Sequence, residues 1–386
     1  VQCAMMAPTE LLAEQHARTM EALLAPAGVR VALLTGSVKG KERKALLAAL
    51  AAGETDLVVG THALFSQEVE YRDLGLVIAD EQHRFGVAQR SALAEKGGAV
   101  PPHVLVMSAT PIPRTLALII YGDLDVSVMD ELPPGRTPVA TRLVGEDKRA
   151  RMYGFVRKQV EEGRQAYIVC PSVEENGGGW EEGPAMDLKA VTAYAKELRE
   201  RVFPDLRVGL VHGRLKSREK EETMAAFSRG ELDVLVSTTV IEVGVDGPTA
   251  SLMIIETAAR FGLSQLHQLR GRGGRGKHQS WCFLVTASRS ETARERLRAL
   301  CATNDGFQIA EEDLRLRGPG DFFGKRQHGL PQLKVADFAA DMELLKEARQ
   351  AAEELIAADP ELKKPSHRLL KKRVRELFQE NGALFS

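Results

Sequence analysis

The sequence predicts an α/β protein with two successive parallel sheets and a helical carboxyl-terminal appendage. Short apolar runs alternate with amphipathic stretches through most of the 386 residues, which is the pattern of repeated strand–helix units. Pro and Gly interrupt this pattern at 131–138, and it then starts again. The alternation stops at about Ala287, and charged helical stretches follow. These observations predict domains at 1–136, 137–300 and 301–386.

The first part of the chain alternates strands and helices. Glu10 begins a helical stretch that Pro26 and Gly28 end, and Pro113 stands near the first turn of another. Strands are predicted at 1–6, 29–34, 57–59, 76–79 and 104–107, and helices at 10–24, 41–51 and 113–121. This order predicts a parallel sheet whose strands are connected through helices.

The second part repeats the alternation, and the third part abandons it. Strands are predicted at 166–169, 208–211, 234–237, 252–255 and 281–285, with helices at 148–161, 191–202 and 218–227. Beyond them, 291–300 is predicted to be a charged helix, and the last stretch of the chain is also predicted to be helical. The second part should therefore form a second parallel sheet, and the third part should lie outside it.

Composition excludes several classes of protein. The net charge is −1, so any contact with nucleic acid must come from local basic patches. Cys3, Cys170, Cys282 and Cys301 are far apart, which argues against a zinc site and a disulfide framework and fits a reducing cytoplasm. No apolar run has the length of a membrane span.

Two adjacent carboxylates follow the apolar run at 76–79. Asp80 and Glu81 should lie at the carboxyl edge of the first sheet, where α/β proteins bind ligands. Asp80 could hold Mg²⁺ on a nucleoside triphosphate, and Glu81 could orient an attacking water. The alternative interpretation is a strand end with two solvated acids.

Two further patterns favour the first interpretation. Ser-Ala-Thr at 108–110 follows the next predicted strand, and Gln-Leu-Arg-Gly-Arg-Gly-Gly-Arg stands at 268–275. Together with Asp-Glu-Gln-His at 80–83, these segments resemble motifs of superfamily 2 helicases, and the resemblance covers nearly all of the chain. It implies two RecA-like domains and ATP as the nucleotide.

The resemblance also implies roles around the nucleotide. Gln82 and His83 would sense the γ-phosphate and relay its state to Ser108 and Thr110. For His83 alone, a surface histidine would be the ordinary interpretation.

The downstream segment supplies candidate arginine fingers. Arg272 and Arg275 stand three residues apart, so they would share one face of a helix. Gln268 stands at the matching position of the motif, while Gly244 and Asp246 would help to read the nucleotide state. The alternative is a solvated basic face or a nonspecific phosphate patch.

Contacts with DNA should involve its backbone. Thr9, Gly36, Thr61, His212 and Thr238 stand at predicted loops or helix starts, where amides and hydroxyl groups can meet phosphate. Each of these residues taken alone is more often a helix cap or a turn residue.

Finer features narrow the resemblance. Thr-Pro-Ile-Pro-Arg-Thr-Leu at 110–116 and the segment 306–321 look like patterns shared by the RecG and transcription-repair coupling translocases, and 121–136 looks RecG-like. Membership of the RecG family would imply a monomeric, ATP- and Mg²⁺-dependent DNA helicase of the bacterial nucleoid. Its partners would be branched double-stranded DNA, namely forks and Holliday junctions. The alternatives are the coupling translocase and a nucleotide-independent DNA-binding fragment.

The chain departs from the family in two respects. The phosphate loop G-x-x-x-x-G-K-S/T is not found; 271–277 imitates its spacing, but His278 replaces the hydroxyl residue. Because the chain starts at Val1 within a predicted strand, we expect a fragment truncated after the phosphate loop and inactive by itself. Gly247 and Gly273 stand where the family has Val, which would loosen both motifs.

The segment 306–329 resembles a translocation motif. Its Gly and Pro residues predict a hairpin or hook rather than a packed core. Arg317 could clamp this element and Gln327 could act as a latch. The alternative is a structural turn with solvated charges.

Overall fold

A computed structural model describes residues 1–81, 96, 100–109, 125–129, 131, 137–171, 188–238, 250–273, 278–317 and 342–380. They group into two compact units. The first lies within Val1–Thr110 and Gly135–Ser288 and contains both sheets. The second lies within Pro111–Pro134 and Arg289–Ser386 and contains the carboxyl-terminal helices.

The first sheet is parallel, as predicted. Its strands are β1 (Gln2–Met6), β2 (Val31–Leu34), β3 (Leu57–Gly60), β4 (Leu74–Ala79) and β5 (His103–Val106), in the order β2-β3-β1-β4-β5. Both faces carry apolar side chains: Met6 and Val58 pack on one face, and Met5 and Val59 on the other. Strands buried on both faces must read as continuous apolar runs, which is why the sequence revealed them.

Two helices connect the first three strands. Helix α1 (Glu10–Leu24) begins after Thr9, whose Oγ1 accepts a hydrogen bond from the Leu12 amide at 3.4 Å. The chain then turns at Gly28, where φ is +74°. Helix α2 (Gly40–Ala52) ends at Gly53, where φ is +75°.

The second sheet has six parallel strands among the described residues. They are β6 (Ala140–Val144), β7 (Gln165–Cys170), β8 (Val208–Val211), β9 (Val234–Thr238), β10 (Ala250–Ile255) and β11 (Trp281–Val285), in the order β6-β11-β10-β7-β9-β8. The sequence did not predict β6, because Thr141 and the exposed Arg142 interrupt its apolar pattern.

Among the described residues, four α-helices accompany this sheet. They are α3 (Arg149–Glu161), α4 (Leu188–Glu197), α5 (Ser217–Ser228) and α6 (Leu263–Arg272). A π-helical turn, Leu198–Val202, extends α4. The predicted helix at 191–202 therefore corresponds to α4 and this turn.

A polar clamp fixes the amino ends of β2 and β3. Arg30 precedes β2 and Asp56 precedes β3; Nε and Nη2 of Arg30 donate to the two Asp56 oxygens at 2.8 and 2.9 Å. Nη2 also donates to the Gly53 carbonyl at 2.9 Å. These hydrogen bonds from Arg30 hold the pKa of the Asp56 carboxyl well below its usual range.

The second sheet repeats this clamp. Arg207 precedes β8 and Asp233 precedes β9; Nε and Nη2 of Arg207 donate to the two Asp233 oxygens at 3.0 and 2.6 Å, and Nη2 donates to the Gly230 carbonyl at 2.9 Å. Burial alone would raise the pKa of Asp233, but the hydrogen bonds from Arg207 lower it. The two sheets are therefore built alike at their amino ends.

The second unit contains two helices that pack together, α7 (Glu291–Ala302) and α8 (Gly306–Arg317). Ile309, Ala310 and Leu314 of α8 are buried, and Nη2 of Arg315 pairs with Oε1 of Glu295 on α7 at 2.9 Å. The predicted hairpin or hook is therefore wrong for residues 306–317, which form a packed helix. Residues 318–329 lie outside the described part of the chain.

The final helices meet at a buried carboxylate. Asp359 follows α9 (Met342–Ala358) and precedes α10 (Arg368–Glu380). It accepts the Lys363 and Lys364 amides at 2.9 Å each and pairs with Nδ1 of His367 at 2.8 Å. The two amide hydrogen bonds, together with His367, lower the pKa of Asp359 to about 2. Within the described residues, no helix combines the length and the apolar character needed to cross a membrane.

Candidate functional site

Asp80 and Glu81 lie at the carboxyl end of β4, as predicted. The Asp80 amide donates to the Met6 carbonyl of β1 at 2.9 Å, which continues the ladder beyond the strand. Oδ1 of Asp80 accepts the Glu81 amide at 2.9 Å, and Oδ2 lies 2.9 Å from Nε2 of His16 on α1. The Asp80 side chain is 22% exposed. Both carboxylate oxygens are thus held while one side of the group stays open to solvent.

Glu81 has a left-handed backbone conformation, with φ at +52°. This conformation is rare for residues other than Gly, and backbone strain of this kind is concentrated at functional sites. A surface acid with no role could adopt an ordinary turn. The strain therefore makes Glu81 a candidate functional residue.

The carboxylate of Asp80 fits a magnesium site. Mg²⁺ is commonly bound by one or two carboxylates together with substrate phosphates and water. Within the described residues, no group of three His, Cys, Asp or Glu side chains is arranged to hold a metal ion. A magnesium site here would therefore use Asp80 with oxygen atoms of the nucleotide.

The edge of the first sheet beside Asp80 collects three predicted residues. The register pairs Met6 and Leu34 with Gly60, so Thr9, Gly36 and Thr61 follow neighbouring strand ends. Thr61 is 3% exposed, and its Oγ1 has no hydrogen-bond partner among the described residues. An unsatisfied buried hydroxyl costs free energy, which a ligand at this edge could offset.

The second sheet brings His212 and Thr238 together. They stand at the carboxyl ends of β8 and β9, whose register pairs Val211 with Ser237. Within the described part of the chain, Nδ1 of His212 and Oγ of Ser237 are buried without a hydrogen-bond partner. This edge therefore also presents unsatisfied polar atoms.

The arginine motif departs from the predicted geometry. Gln268 and Arg272 lie half-buried on α6, but the helix ends at Arg272, because Gly273 has extended backbone with φ −73° and ψ 150°. The described part of the motif therefore leaves the helix after Arg272, and the prediction that Arg272 and Arg275 share a helical face stays a prediction. Arg275 itself lies outside the described residues.

Two of the remaining predicted site residues lie within the described part of the chain. Ser108 is exposed just beyond β5, and the backbone of Arg317 ends α8. The following predicted site residues lie outside the described part of the chain: Gln82, His83, Thr110, Gly244, Asp246 and Gln327.

The sequence did not reveal His16 as a partner of Asp80. Its signal was present, because His16 stands between the buried Ala13 and Ala17 on the inner face of α1. A polar side chain on an apolar helical face usually has a buried partner.

The sequence also missed a polar network at the carboxyl end of β10. Glu256 is 4% exposed, and its Oε1 accepts Nη1 of Arg149 at 2.7 Å and the hydroxyl of Tyr194 at 2.6 Å. The hydroxyl oxygen of Tyr153 lies 2.8 Å from the hydroxyl oxygen of Tyr194 and accepts a hydrogen bond from Nη1 of Arg149 at 3.1 Å. Burial, reinforced by the Glu256 carboxylate, raises the pKa of Tyr194 far above its usual range. This network ties α3 and α4 to the strand end.

We expect Gly273→Ala to stabilise the protein by about 0.4–1 kcal/mol, because Gly273 already has backbone dihedrals that alanine adopts readily. A Cβ at Gly273 would meet the Arg270 carbonyl and Met253 at 3.6 Å, which is ordinary contact. Gly230 is the matched control: a Cβ there meets nothing within 4 Å, but φ is +76°. Gly230→Ala should cost about 1–2 kcal/mol. Urea unfolding measures both changes, and destabilisation by Gly273→Ala would show that the glycine is needed.

Three family profiles match successive parts of the chain. The DEAD/DEAH box helicase family matches residues 1–119, and the helicase conserved C-terminal domain matches residues 147–277. The family described as ATP-dependent DNA helicase RecG, domain 3, C-terminal, matches residues 303–383. The matches to the parallel sheets and to the helical part confirm the predicted fold class.

Curated relatives carry the same family name. The ATP-dependent DNA helicase RecG of Bacillus subtilis is 52% identical over 370 residues, covering 96% of this chain and 53% of the relative. That of Synechocystis is 53% identical over 361 residues, covering 94% of this chain and 42% of the relative. The chain thus spans about half the length of the curated relatives it matches.

Solved structures agree. A RecG bound to a three-way DNA junction is 46% identical, with a TM-score of 0.69 over 89% of this chain and 43% of that chain. The helicase MrfA bound to DNA is 14% identical, with a TM-score of 0.58 over 79% of this chain and 45% of that chain, and shares the fold alone. The names of these relatives favour RecG over the coupling translocase. With half of its residues identical to curated RecG proteins over nearly its whole length, the chain belongs to the RecG family of ATP-dependent DNA helicases.

Proposed function

We propose that this chain is the motor region of an ATP-driven translocase on double-stranded DNA that remodels forks and Holliday junctions. One observation carries the proposal: Asp80 is held on both oxygens at the end of β4, and the strained Glu81 follows it. Phosphoryl transfer depends mainly on positioning and electrostatic stabilisation, and two carboxylates at a fixed separation supply the protein's part on this side.

The chemistry assigns a separate role to each carboxylate. Asp80 would hold Mg²⁺, which when bound neutralises charge on the β- and γ-phosphates of ATP. Glu81 would orient the attacking water and accept its proton. Gln82, His83 and Thr110 would report the state of the γ-phosphate.

The remaining nucleotide contacts come from other segments. Ser108 would take part in the relay from the γ-phosphate, and Gly244, Asp246 and Gln268 would help to read the nucleotide state. Arg272 and Arg275 would stabilise charge on the transferring phosphoryl group, because planar guanidinium groups match phosphate oxygens.

DNA would be held through its phosphates at the carboxyl edges of the sheets. Thr9, Gly36 and Thr61 provide hydroxyl groups and backbone at the first edge, and His212 and Thr238 at the second. Oγ1 of Thr61 and Nδ1 of His212, which are buried and have no hydrogen-bond partner in the part of the chain that the structure describes, support this assignment. The RecG in the solved complex was bound to a three-way junction, which is the class of branched DNA that we propose for this chain.

The helical appendage would couple hydrolysis to movement. Helix α8 packs on α7, so Arg317, at its end, could transmit a displacement of this pair to the segment that contains Gln327. We further propose that the protein acts as a monomer on the nucleoid in the bacterial cytoplasm.

Phosphate release provides the test. The protein to be assayed is a fusion, called the joined protein below. It consists of the amino-terminal part of the Bacillus subtilis relative, up to the start of the matched region, followed by this chain. We expect the joined protein to hydrolyse ATP and to be stimulated more by a three-way junction than by linear duplex. The 386-residue chain alone, whose sequence has no G-x-x-x-x-G-K-S/T pattern, should not hydrolyse ATP. A joined protein that binds junctions without any junction-stimulated hydrolysis would instead support nucleotide-independent DNA binding.

A further inference from the structure

The two sheets have the same arrangement at the carboxyl ends of two equivalent strands, β4 in the first sheet and β10 in the second. Asp80 follows β4 and Glu256 follows β10, and each acid donates its amide to a carbonyl of the neighbouring strand, β1 or β7, at 2.9 Å. The next residue is left-handed in both cases, with φ +52° at Glu81 and +49° at Thr257. Such a conformation is an outlier for a β-branched residue such as Thr. Together with the repeated clamp at the amino ends, this makes Glu256 the counterpart of Asp80.

Each of these acids has a hydrogen-bond partner on the helix that follows the neighbouring strand, and the partner stands at the same position in both helices. His16 lies on α1, which follows β1, and Tyr194 lies on α4, which follows β7. Nε2 of His16 is 2.9 Å from Oδ2 of Asp80, and the Tyr194 hydroxyl is 2.6 Å from Oε1 of Glu256. The same contact, made by different side chains, indicates that the strand-end acid needs a hydrogen-bond donor from this helix.

The two sites differ in whether an arginine pairs with the acid. Glu256 is paired with the guanidinium of Arg149, with 2.7 Å between Nη1 and Oε1. Within the described residues, Asp80 has no Lys or Arg partner, and its contacts are His16 and the Glu81 amide. The second sheet supplies the positive charge from its own chain, whereas the first, as far as the described residues show, leaves the remaining lone pairs of Asp80 available for a bound cation.

We infer that His16 is a positioning residue that fixes the Asp80 carboxylate for Mg²⁺. An ionised carboxylate only accepts hydrogen bonds, so His16 must donate from Nε2 to Oδ2 while the Glu81 amide holds Oδ1. Two donors at the two oxygens set the plane of the carboxylate before a cation arrives. Partners of this kind orient metal ligands, and their removal typically costs about 10–100-fold in metal affinity or activity. This inference depends on the proposed function, because it requires that Asp80 holds the metal.

The experiment compares His16→Ala with His16→Gln in the joined protein. The amide nitrogen of Gln can take the place of Nε2, so this variant should keep the hydrogen bond that the Ala variant loses. We expect the Mg²⁺ concentration for half-maximal ATP hydrolysis to rise about 10–100-fold in His16→Ala, with kcat at saturating Mg²⁺ nearly unchanged. His16→Gln should recover most of the difference. Equilibrium binding of a fluorescent ADP analogue, titrated with Mg²⁺, should show the same shift without turnover.

Tyr194→Phe is the matched control. It removes the corresponding hydrogen bond to Glu256 in the second sheet and should leave the Mg²⁺ dependence of nucleotide binding unchanged. An unchanged Mg²⁺ dependence in a folded His16→Ala variant, or an equal shift in Tyr194→Phe, would overturn the inference. A thermal unfolding transition confirms that each variant is folded. If the unsubstituted joined protein does not hydrolyse ATP, the proposed function fails instead.

Discussion

Replacement of Glu81 with glutamine in the joined protein should reduce ATP hydrolysis by about 10²–10⁴-fold, the usual contribution of a positioned general base. Glutamine has nearly the same size and can occupy the same left-handed backbone, but it cannot accept a proton from water. Binding of ATP and Mg²⁺ should persist, because Asp80 and its hydrogen bonds to His16 and to the amide of residue 81 remain.

Single-turnover hydrolysis and nucleotide binding should be measured in the same preparation. Glu21→Gln provides the control, because Glu21 is an exposed residue of α1. The substitution makes the same chemical change as Glu81→Gln, but away from the site. If Glu81→Gln keeps full hydrolysis, the solvated-acid interpretation of this strand end is correct. If it loses its thermal unfolding transition, Glu81 is needed for folding rather than for chemistry.

Replacement of Glu256 with alanine should destabilise the protein by about 3 kcal/mol. Removing one partner of a buried ion pair typically costs about 3–5 kcal/mol, because the other charge is left uncompensated. The lower end is expected here, since Arg149 is 24% exposed and keeps its second partner, Glu146, at 2.7 Å. Tyr194 would also lose the acceptor of its buried hydroxyl.

Urea unfolding measures this loss. The control is Glu222→Ala, which removes an Arg218–Glu222 pair of similar length, 2.8 Å, whose side chains are 88% and 63% exposed. That change should cost about 0.5 kcal/mol or less, because solvent screens exposed pairs. Equal effects of Glu256→Ala and Glu222→Ala would mean that the buried network contributes nothing beyond a surface ion pair.

Sequence reasoning succeeded for features that a single local segment determines, such as the bounds of a helix or the end of a strand. Helix α1 was predicted with its observed bounds, because Pro26 and Gly28 end the helical pattern directly after Leu24. The acids at 80–81 were placed correctly because they directly follow a buried parallel strand, and the carboxyl ends of parallel strands all lie at the ligand-binding edge of the sheet. Helix α8 was missed because Gly306 and the Gly-Pro punctuation after Arg317 outweighed the buried residues between them.

The partners of the acids could not be predicted in this way. His16 meets Asp80, and Arg149 meets Glu256, only because helices pack on strand ends that lie 64 and 107 residues away in sequence. Local patterns identify the carboxylates but contain no information about which helix will reach them. Likewise, the end of α6 at Arg272 depends on the backbone of Gly273, which the three-residue spacing of the arginines does not reveal.

The clamps formed by Arg30 and Arg207 have a consequence for how such proteins diversify. Each clamp secures the amino ends of two strands through Asp56 or Asp233, on the side opposite to the candidate ligand residues. Changes in the loops at the carboxyl ends would therefore leave the clamps, and the strand pairs that they hold, intact. The same strand-end arrangement is present once in each sheet: the acid of the second sheet pairs with an internal arginine, and we propose that the acid of the first sheet holds a metal ion instead.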